Sequence, residues 1–278
     1  MKRILIFTLC ISLISGVIVM ATTLNTKEIK ENIEALRKAY EIDADSLFIH
    51  LDKMEESAVK SSDPVEKSVY YSYLADIYQE YYQHNRFFID DRTDIEGDAP
   101  EDRNEWSKQN FHDAGRRYLE LSVKERDALL KAEISDYREL ISAGADSVLR
   151  PTMYDILMHR AIDIMSYDTA FVCDSYQQLI DAHIDEPLLR DAVKLDFAAY
   201  KHSFDNNQYA NDFAEQYKGS DLYVYAKALE IENNIKNPKE RHQACEAVIN
   251  EFPDNHYINS VKSIMYEVER KFISISNQ

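Results

Sequence analysis

Glycine and proline are scarce in this chain, at 5 and 6 of 278 residues. A β-sandwich or barrel needs a turn signal roughly every 8–12 residues, and a doubly wound sheet takes Gly-rich turns between strand and helix. Five glycines supply neither, so the fold class expected here is all-α. With 45% hydrophobic residues the chain has enough apolar surface for a core, and short turns favour antiparallel helical pairs.

Helix signals recur along the sequence. Asn25 with Glu28 reads as a capping pair ahead of Ile29, Ile33, Leu36 and Tyr40, which predicts a helix over about 26–41. Leu47, Phe48, Leu51, Met54 and Val59 predict a second. Asp63-Pro64-Val65-Glu66 supplies an N-cap, a proline at the first helical position and a carboxylate at the third, ahead of Val69, Tyr73, Leu74, Ile77, Tyr78 and Tyr81. Helical pattern resumes near Trp106 through Phe111, Tyr118, Leu119 and Leu121. Leu129, Leu130, Ile134, Tyr137, Leu140 and Ile141 carry it towards a stop at Gly144. Pro151 opens another helix bearing Met153, Tyr154, Leu157, Ala161, Ile164 and Met165.

The last third reads as a repeat. An offset of 34 superposes Leu189, Tyr223 and Tyr257, then Ala192, Ala226 and Ser260, then Phe197, Ile231 and Met265. An offset of 35 aligns residues 213–219 with 248–254. A period of 34 is that of tetratricopeptide helix pairs, where a small residue admits the neighbouring helix and bulky ones fill the seam, although the Trp and Gly of the full consensus are missing. Helices near 174–184, 188–203, 208–217, 221–236, 239–251 and 255–272 satisfy it. The expected architecture is a helical-hairpin array, a tetratricopeptide-like α-solenoid.

Met1-Lys2-Arg3 is a short basic segment, residues 4–20 are mostly apolar, and Val19 and Ala21 fit the −3 and −1 positions of a cleavage site. This is the pattern of an export signal cut after Ala21. The rival is an uncleaved anchor, which Thr8, Ser12, Ser15 and Gly16 dilute. The division expected is a signal peptide over 1–21, an N-terminal helical region over 22–170 and helical repeats over 171–278, in a protein exported to the periplasm or cell envelope. Cleavage removes Lys2 and Arg3 and no acid, leaving 30 basic against 50 acidic residues. Nucleic acids and anionic membrane surfaces both need clustered Lys and Arg, so neither is an expected partner and no direct membrane binding is expected after cleavage.

Four groups of residues invite a chemical reading. The acidic segment Asp90-Asp91-Arg92-Thr93-Asp94-Ile95-Glu96-Gly97-Asp98-Ala99-Pro100-Glu101-Asp102 is rich in oxygen ligands, but with Gly97 as the sixth position of a calcium loop the first is Arg92 and the twelfth Arg103, both of the wrong sign. It reads as a solvated surface loop, with irregular calcium binding or docking as the sharper alternatives. The 8 histidines are scattered; His159 and Asp163 lie one helical turn apart, which could orient a ligand or a base but is explained more simply by an ordinary hydrogen bond. Tyr70, Tyr71, Tyr73, Tyr78, Tyr81 and Tyr82 crowd one helix and are not expected all to face one core, so they read either as packing between helical pairs or as part of a contact surface. Cys173 and Cys245 could pair in an oxidising compartment or stay as buried thiols. Nucleophile-elbow, P-loop, dinucleotide-fingerprint and paired-histidine zinc motifs are missing, so no catalytic residue, cofactor or metal ligand is assigned and the protein is not expected to be an enzyme.

The segment Arg150-Pro151-Thr152-Met153-Tyr154-Asp155-Ile156-Leu157-Met158-His159-Arg160-Ala161 resembles the Arg-Pro-Thr-x-Tyr-Asp-x-x-x-His-Arg-Ala stretch in the N-terminal helical region of large bacterial α-2-macroglobulin-like proteins. The acidic loop before Trp106 and Ile134-Ser135-Asp136-Tyr137 fit the same family less specifically. The resemblance implies a helical region that precedes a series of β-sandwich domains. Family members related to protease traps can carry a thioester Cys-x-Glu-Gln. Here Cys173 begins Cys-Asp-Ser-Tyr and Cys245 begins Cys-Glu-Ala-Val, so neither can form it and protease trapping does not carry over. Residues 271–278 alternate like the start of a sandwich strand. The expectation is a non-catalytic, exported module that binds a protein partner, with a stand-alone tetratricopeptide-like envelope adaptor as the alternative.

Overall fold

The computed structural model describes residues 27–36, 38–39, 44–93, 97–137, 148–204 and 213–266. The chain is all-α, an array of helices packed against one another. The proposed leader, Gly144 and the alternating tail over 271–278 lie outside the described residues. Two compact units form: Met1–Ala143 with Thr152–Met165, and Gly144–Pro151 with Ser166–Gln278. Among the described residues no helix is long and apolar enough to cross a membrane.

The first unit contains α1 (27–36), α2 (Ala44–Lys60), α3 (Pro64–Ile89), α4 (Lys108–Val123), the single turn α5 (Arg126–Leu129) and α6 (Met153–Ile164). Its axis is α3. The expected start is present: the Asp63 carboxylate accepts the Val65 and Glu66 amides at 2.8 and 3.1 Å, and Pro64 sits where no amide is needed. Over 26 residues, about 39 Å at the usual helical rise, α3 buries runs of consecutive residues, Ser68 to Ser72 and Ile77 to Gln79. A helix buried on one face cannot do that; α3 is covered on several sides, by α2, α4 and α6.

This arrangement settles where the six tyrosines go. The Tyr70 hydroxyl accepts from Asn32 on α1 at 3.0 Å. Tyr71 and Tyr78 stack on Tyr118 of α4, with ring centroids 6.0 and 5.6 Å apart. Tyr81 lies between Phe48 of α2 and Phe111 of α4, at 5.1 and 5.5 Å. Tyr73 takes the Arg160 guanidinium of α6 over its face at 4.7 Å, and Tyr82 meets the edge of His112 at 4.9 Å. They face different neighbours because the helix has neighbours on different sides, so packing accounts for all six.

The continuous pattern expected from Trp106 to Gly144 is broken. α4 ends at Val123, α5 lasts four residues, and a 3-10 turn follows over Ile134–Tyr137. The backbone leaves the helix to pair with the start of α6: Glu133 bridges Thr152, and the Met153 amide donates to the Ala132 carbonyl at 2.8 Å. Leu129 and Ile134 are still buried, so the apolar spacing reports burial rather than helix.

The second unit contains α7 (Thr169–Ala182), α8 (Pro187–Phe204), the turn α9 (Phe213–Gln216), α10 (Tyr223–Asn234), α11 (Pro238–Glu251) and α12 (258–266). The 34-residue offset falls on α8, α10 and α12. Ala192 and Ala226 are both buried there beside Leu195, Ile231, Tyr257 and Val261 in one core. Gly219, at φ +83° between α9 and α10, takes a left-handed turn that a side chain would strain. Helix ends are closed by side chains. Glu230 accepts the Ala214 amide at 2.8 Å, and Arg241 donates to the Ile235 and Glu232 carbonyls at the end of α10, at 2.8 and 3.0 Å.

Burial pushes the phenols of Tyr70, Tyr78 and Tyr137 up to about 12 and raises that of Tyr118. An unfolded tyrosine ionises near 10, so the native state holds protons that the unfolded state loses. The resulting stability is complete below about pH 10 and disappears as pH climbs through about 12. Absorbance at 295 nm should show a class of tyrosines whose ionisation appears only with loss of helical ellipticity. A single transition near 10 in a chain that is still folded would contradict this account.

Candidate functional site

Past Tyr82 the burial of α3 stops. Gln83, His84 and Arg86 face solvent, and Phe87 and Phe88 are 78% and 70% exposed, with only Ile89 returning to the core. The two rings meet edge to face at 5.5 Å. Asp90, which caps the helix and accepts the Tyr82 hydroxyl at 2.8 Å, and the exposed Asp91 follow directly. A helix C-terminus carries partial negative charge, so two carboxylates there add to a like-signed dipole, offset only in part by Arg86 in the last turn.

The acidic loop after them is pinned at its base. Arg92 donates to the Trp106 carbonyl at 2.7 Å, and the indole N–H donates to the Pro100 carbonyl at 2.8 Å. Trp106 stacks on Tyr78 at 5.6 Å and meets Phe111 edge-on at 5.3 Å. Asp102 caps the short 3-10 turn Arg103–Glu105, and Ser107 with Asn110 forms a capping box that starts α4. Arg103 turns inward, ion-paired with Asp52 of α2 and 5.6–5.8 Å from the ring centres of Phe48, Tyr78 and Trp106. With the basic side chains turned to the protein, Asp91, Asp98, Glu101, Asp102 and Glu105 are left in solvent. On α2, Asp52, Glu55, Glu56, Val59 and Lys60 line a shallow open depression, where Arg103 and Arg117 hold the first two carboxylates. Such a surface can present apolar area and negative charge to another molecule.

The Arg-Pro-Thr segment has different work. Arg150 approaches Asp196 of α8 at 3.9 Å, and the same carboxylate accepts the Tyr225 hydroxyl, whose ionisation burial pushes well above the ordinary range. Thr152 and Asp155 form the capping box of α6: Asp155 accepts the Thr152 amide at 3.0 Å and its hydroxyl at 2.7 Å, while the Asp155 amide donates back at 3.4 Å. Tyr154 is buried beneath the Arg126 guanidinium. His159 is 6% exposed, with Nδ1 2.8 Å from the Asp155 carbonyl oxygen, whereas Asp163 faces solvent. Arg160 donates to the Ser72 hydroxyl at 3.0 Å and pairs with Asp76, both on α3. Sequence reasoning passes over Phe87, Phe88 and Asp76 and takes Arg103 only as a residue of the wrong sign for a calcium loop. Phe87-Phe88 was visible as an apolar pair amid Gln83, His84, Asn85 and Arg86, beyond the last core position of the helix. The inward turn of Arg103 had no local signal.

Cys173 and Cys245 are both free thiols. Cys245 is buried in the second core and burial pushes its thiol up to about 11, while Cys173 is partly exposed. Among the described residues no group of three or more His, Cys, Asp or Glu is placed to hold a metal ion. No protein-family model, curated protein or solved structure matches the chain.

Trp106→Ala should lower stability by about 2–3 kcal/mol, less than full burial would give, and speed cleavage after Glu101 by a Glu-specific protease about tenfold. Unaltered cleavage would mean that the loop is not held by the indole. For the thiols, a neutral alkylating reagent should modify Cys173 in the native protein and Cys245 only after denaturation; equal rates in the native state would contradict the burial of Cys245.

Proposed function

We propose that this chain is a non-catalytic, exported protein-interaction module, the N-terminal helical region of a bacterial α-2-macroglobulin-like protein. The observation that carries this reading is the use made of the resembling segment. Thr152 and Asp155 start α6, Tyr154 fills the core, and Arg160 fastens α6 to Ser72, Tyr73 and Asp76 of α3. Residues that assemble a helical scaffold are what a positioning region of a larger envelope protein needs. The exposed aromatic and acidic end of α3 supplies a surface for contact.

A stand-alone tetratricopeptide-like adaptor is the second reading. It is favoured by the 34-residue offset, whose buried small positions Ala192 and Ala226 fall on α8 and α10 of one shared core.

An antibody to this chain, used on fractionated cells, separates the readings. The leading one expects a polypeptide much larger than 278 residues in the envelope fraction. A band of about the chain's own size in that fraction would favour the adaptor, and a band in the cytosol would overturn export for both. Crosslinking of intact cells before blotting should shift the band to a covalent adduct; no adduct would overturn the interaction reading.

A further inference from the structure

We infer that the exposed end of α3, Phe87 and Phe88 with the flanking carboxylates Asp90 and Asp91, is the docking surface for a protein partner that offers an apolar pocket rimmed by lysine or arginine. The inference deepens the interaction reading and rests on it.

The first argument is desolvation. Two adjacent phenylalanines at 78% and 70% exposure keep most of their apolar surface in water, while the next residue, Ile89, is fully buried. Single exposed hydrophobic residues are ordinary, but two touching rings on a rigid helix form one anchor that a pocket can enclose. The backbone beneath is fixed by the Ile89 burial, by the Asp90 amide donating to the Arg86 carbonyl at 2.8 Å and by the Tyr82 to Asp90 hydrogen bond. Little backbone ordering entropy remains to be lost on docking.

The second argument is charge. Asp90 and Asp91 sit at the negative end of the helix dipole, where local stability favours cations. Asp91 therefore weakens α3 slightly, whereas Asp90 is held in place by the Tyr82 hydroxyl; both add to a negative potential at the helix end that Arg86 offsets only in part. A cationic rim turns that local cost into attraction and speeds encounter.

The same observations weigh against two other occupants. A second copy would bring another formal charge of −18 and the same two carboxylates against these, so like charges would meet across the contact. An anionic membrane leaflet repels the carboxylates.

The test uses the full chain and a synthetic amphipathic Leu/Lys helical peptide, with a Leu/Glu peptide of the same pattern and a Ser/Lys peptide of the same charge as controls. Fluorescence anisotropy should show the Leu/Lys peptide binding at low salt. The affinity should fall at least about tenfold in F87S/F88S, about threefold in D91N and several-fold on raising salt to about 0.5 M, while F87L/F88L retains it. All three variants should keep the parent's helical ellipticity and Tm, since the substituted side chains lie in solvent. Equal binding by F87S/F88S, or equally tight binding of the Ser/Lys peptide, would overturn the proposal. So would self-association that F87S/F88S abolishes, or flotation of the parent with phosphatidylcholine or phosphatidylglycerol vesicles that it abolishes. In cells, an envelope adduct that persists in F87S/F88S would sink this docking surface and leave the interaction module standing, whereas loss of the adduct from the parent itself would sink the module.

Discussion

Everything in the first unit follows from burying phenols on more than one side of a single helix. Tyrosine carries an apolar ring and a hydroxyl, so it packs well only where the ring is covered and the oxygen finds a donor, an acceptor or water. On α3 the rings are spaced so that no single neighbour can cover them. Helix α2 meets Tyr81, α4 meets Tyr71, Tyr78 and Tyr81, and α6 meets Tyr73. Remove one of these layers and a face of α3 that has no polar alternative is exposed. The acidic loop depends on the same seam, because Trp106 closes it by stacking on Tyr78.

Much of this was legible locally. Asp63-Pro64 marks the start of α3 because capping and proline placement are one-dimensional rules, and two of the three small residues at an offset of 34, Ala192 and Ala226, fall inside one core because close helix approach demands them. The six tyrosines read as packing between helical pairs or as a contact surface, and the structure gives the packing, on several sides of α3, a fact about neighbours far away in sequence. One expectation did not carry through. The helical pattern from Leu129 to Ile134 was continuous in hydrophobicity and discontinuous in backbone, because pairing of Glu133 with Thr152 outweighs the propensity of a short segment.

The candidate site was legible in charge but not in shape. The acidic loop is plain in the sequence; that Arg92 and Arg103 fold back onto the protein and leave the carboxylates in water is a tertiary outcome. Arg160 is similar. Its partners Ser72 and Asp76 lie more than eighty residues away and one helical turn apart, a spacing that only α3 can provide and only α6 can read. The Arg-Pro-Thr segment is thus occupied with assembling the scaffold, and the exposed aromatic pair lies in a stretch that carries no motif.

The chain has a single tryptophan, and it stands in the first unit at the joint between the acidic loop and the aromatic seam. Indole emission is thereby a private optical channel: it reports the environment of that joint in the first unit, while backbone ellipticity sums over both. Where the two signals are followed together through denaturant, coincidence means one cooperative body and divergence means two that melt on their own terms. The protein carries within its own sequence the label needed to ask whether its halves behave as one thermodynamic object.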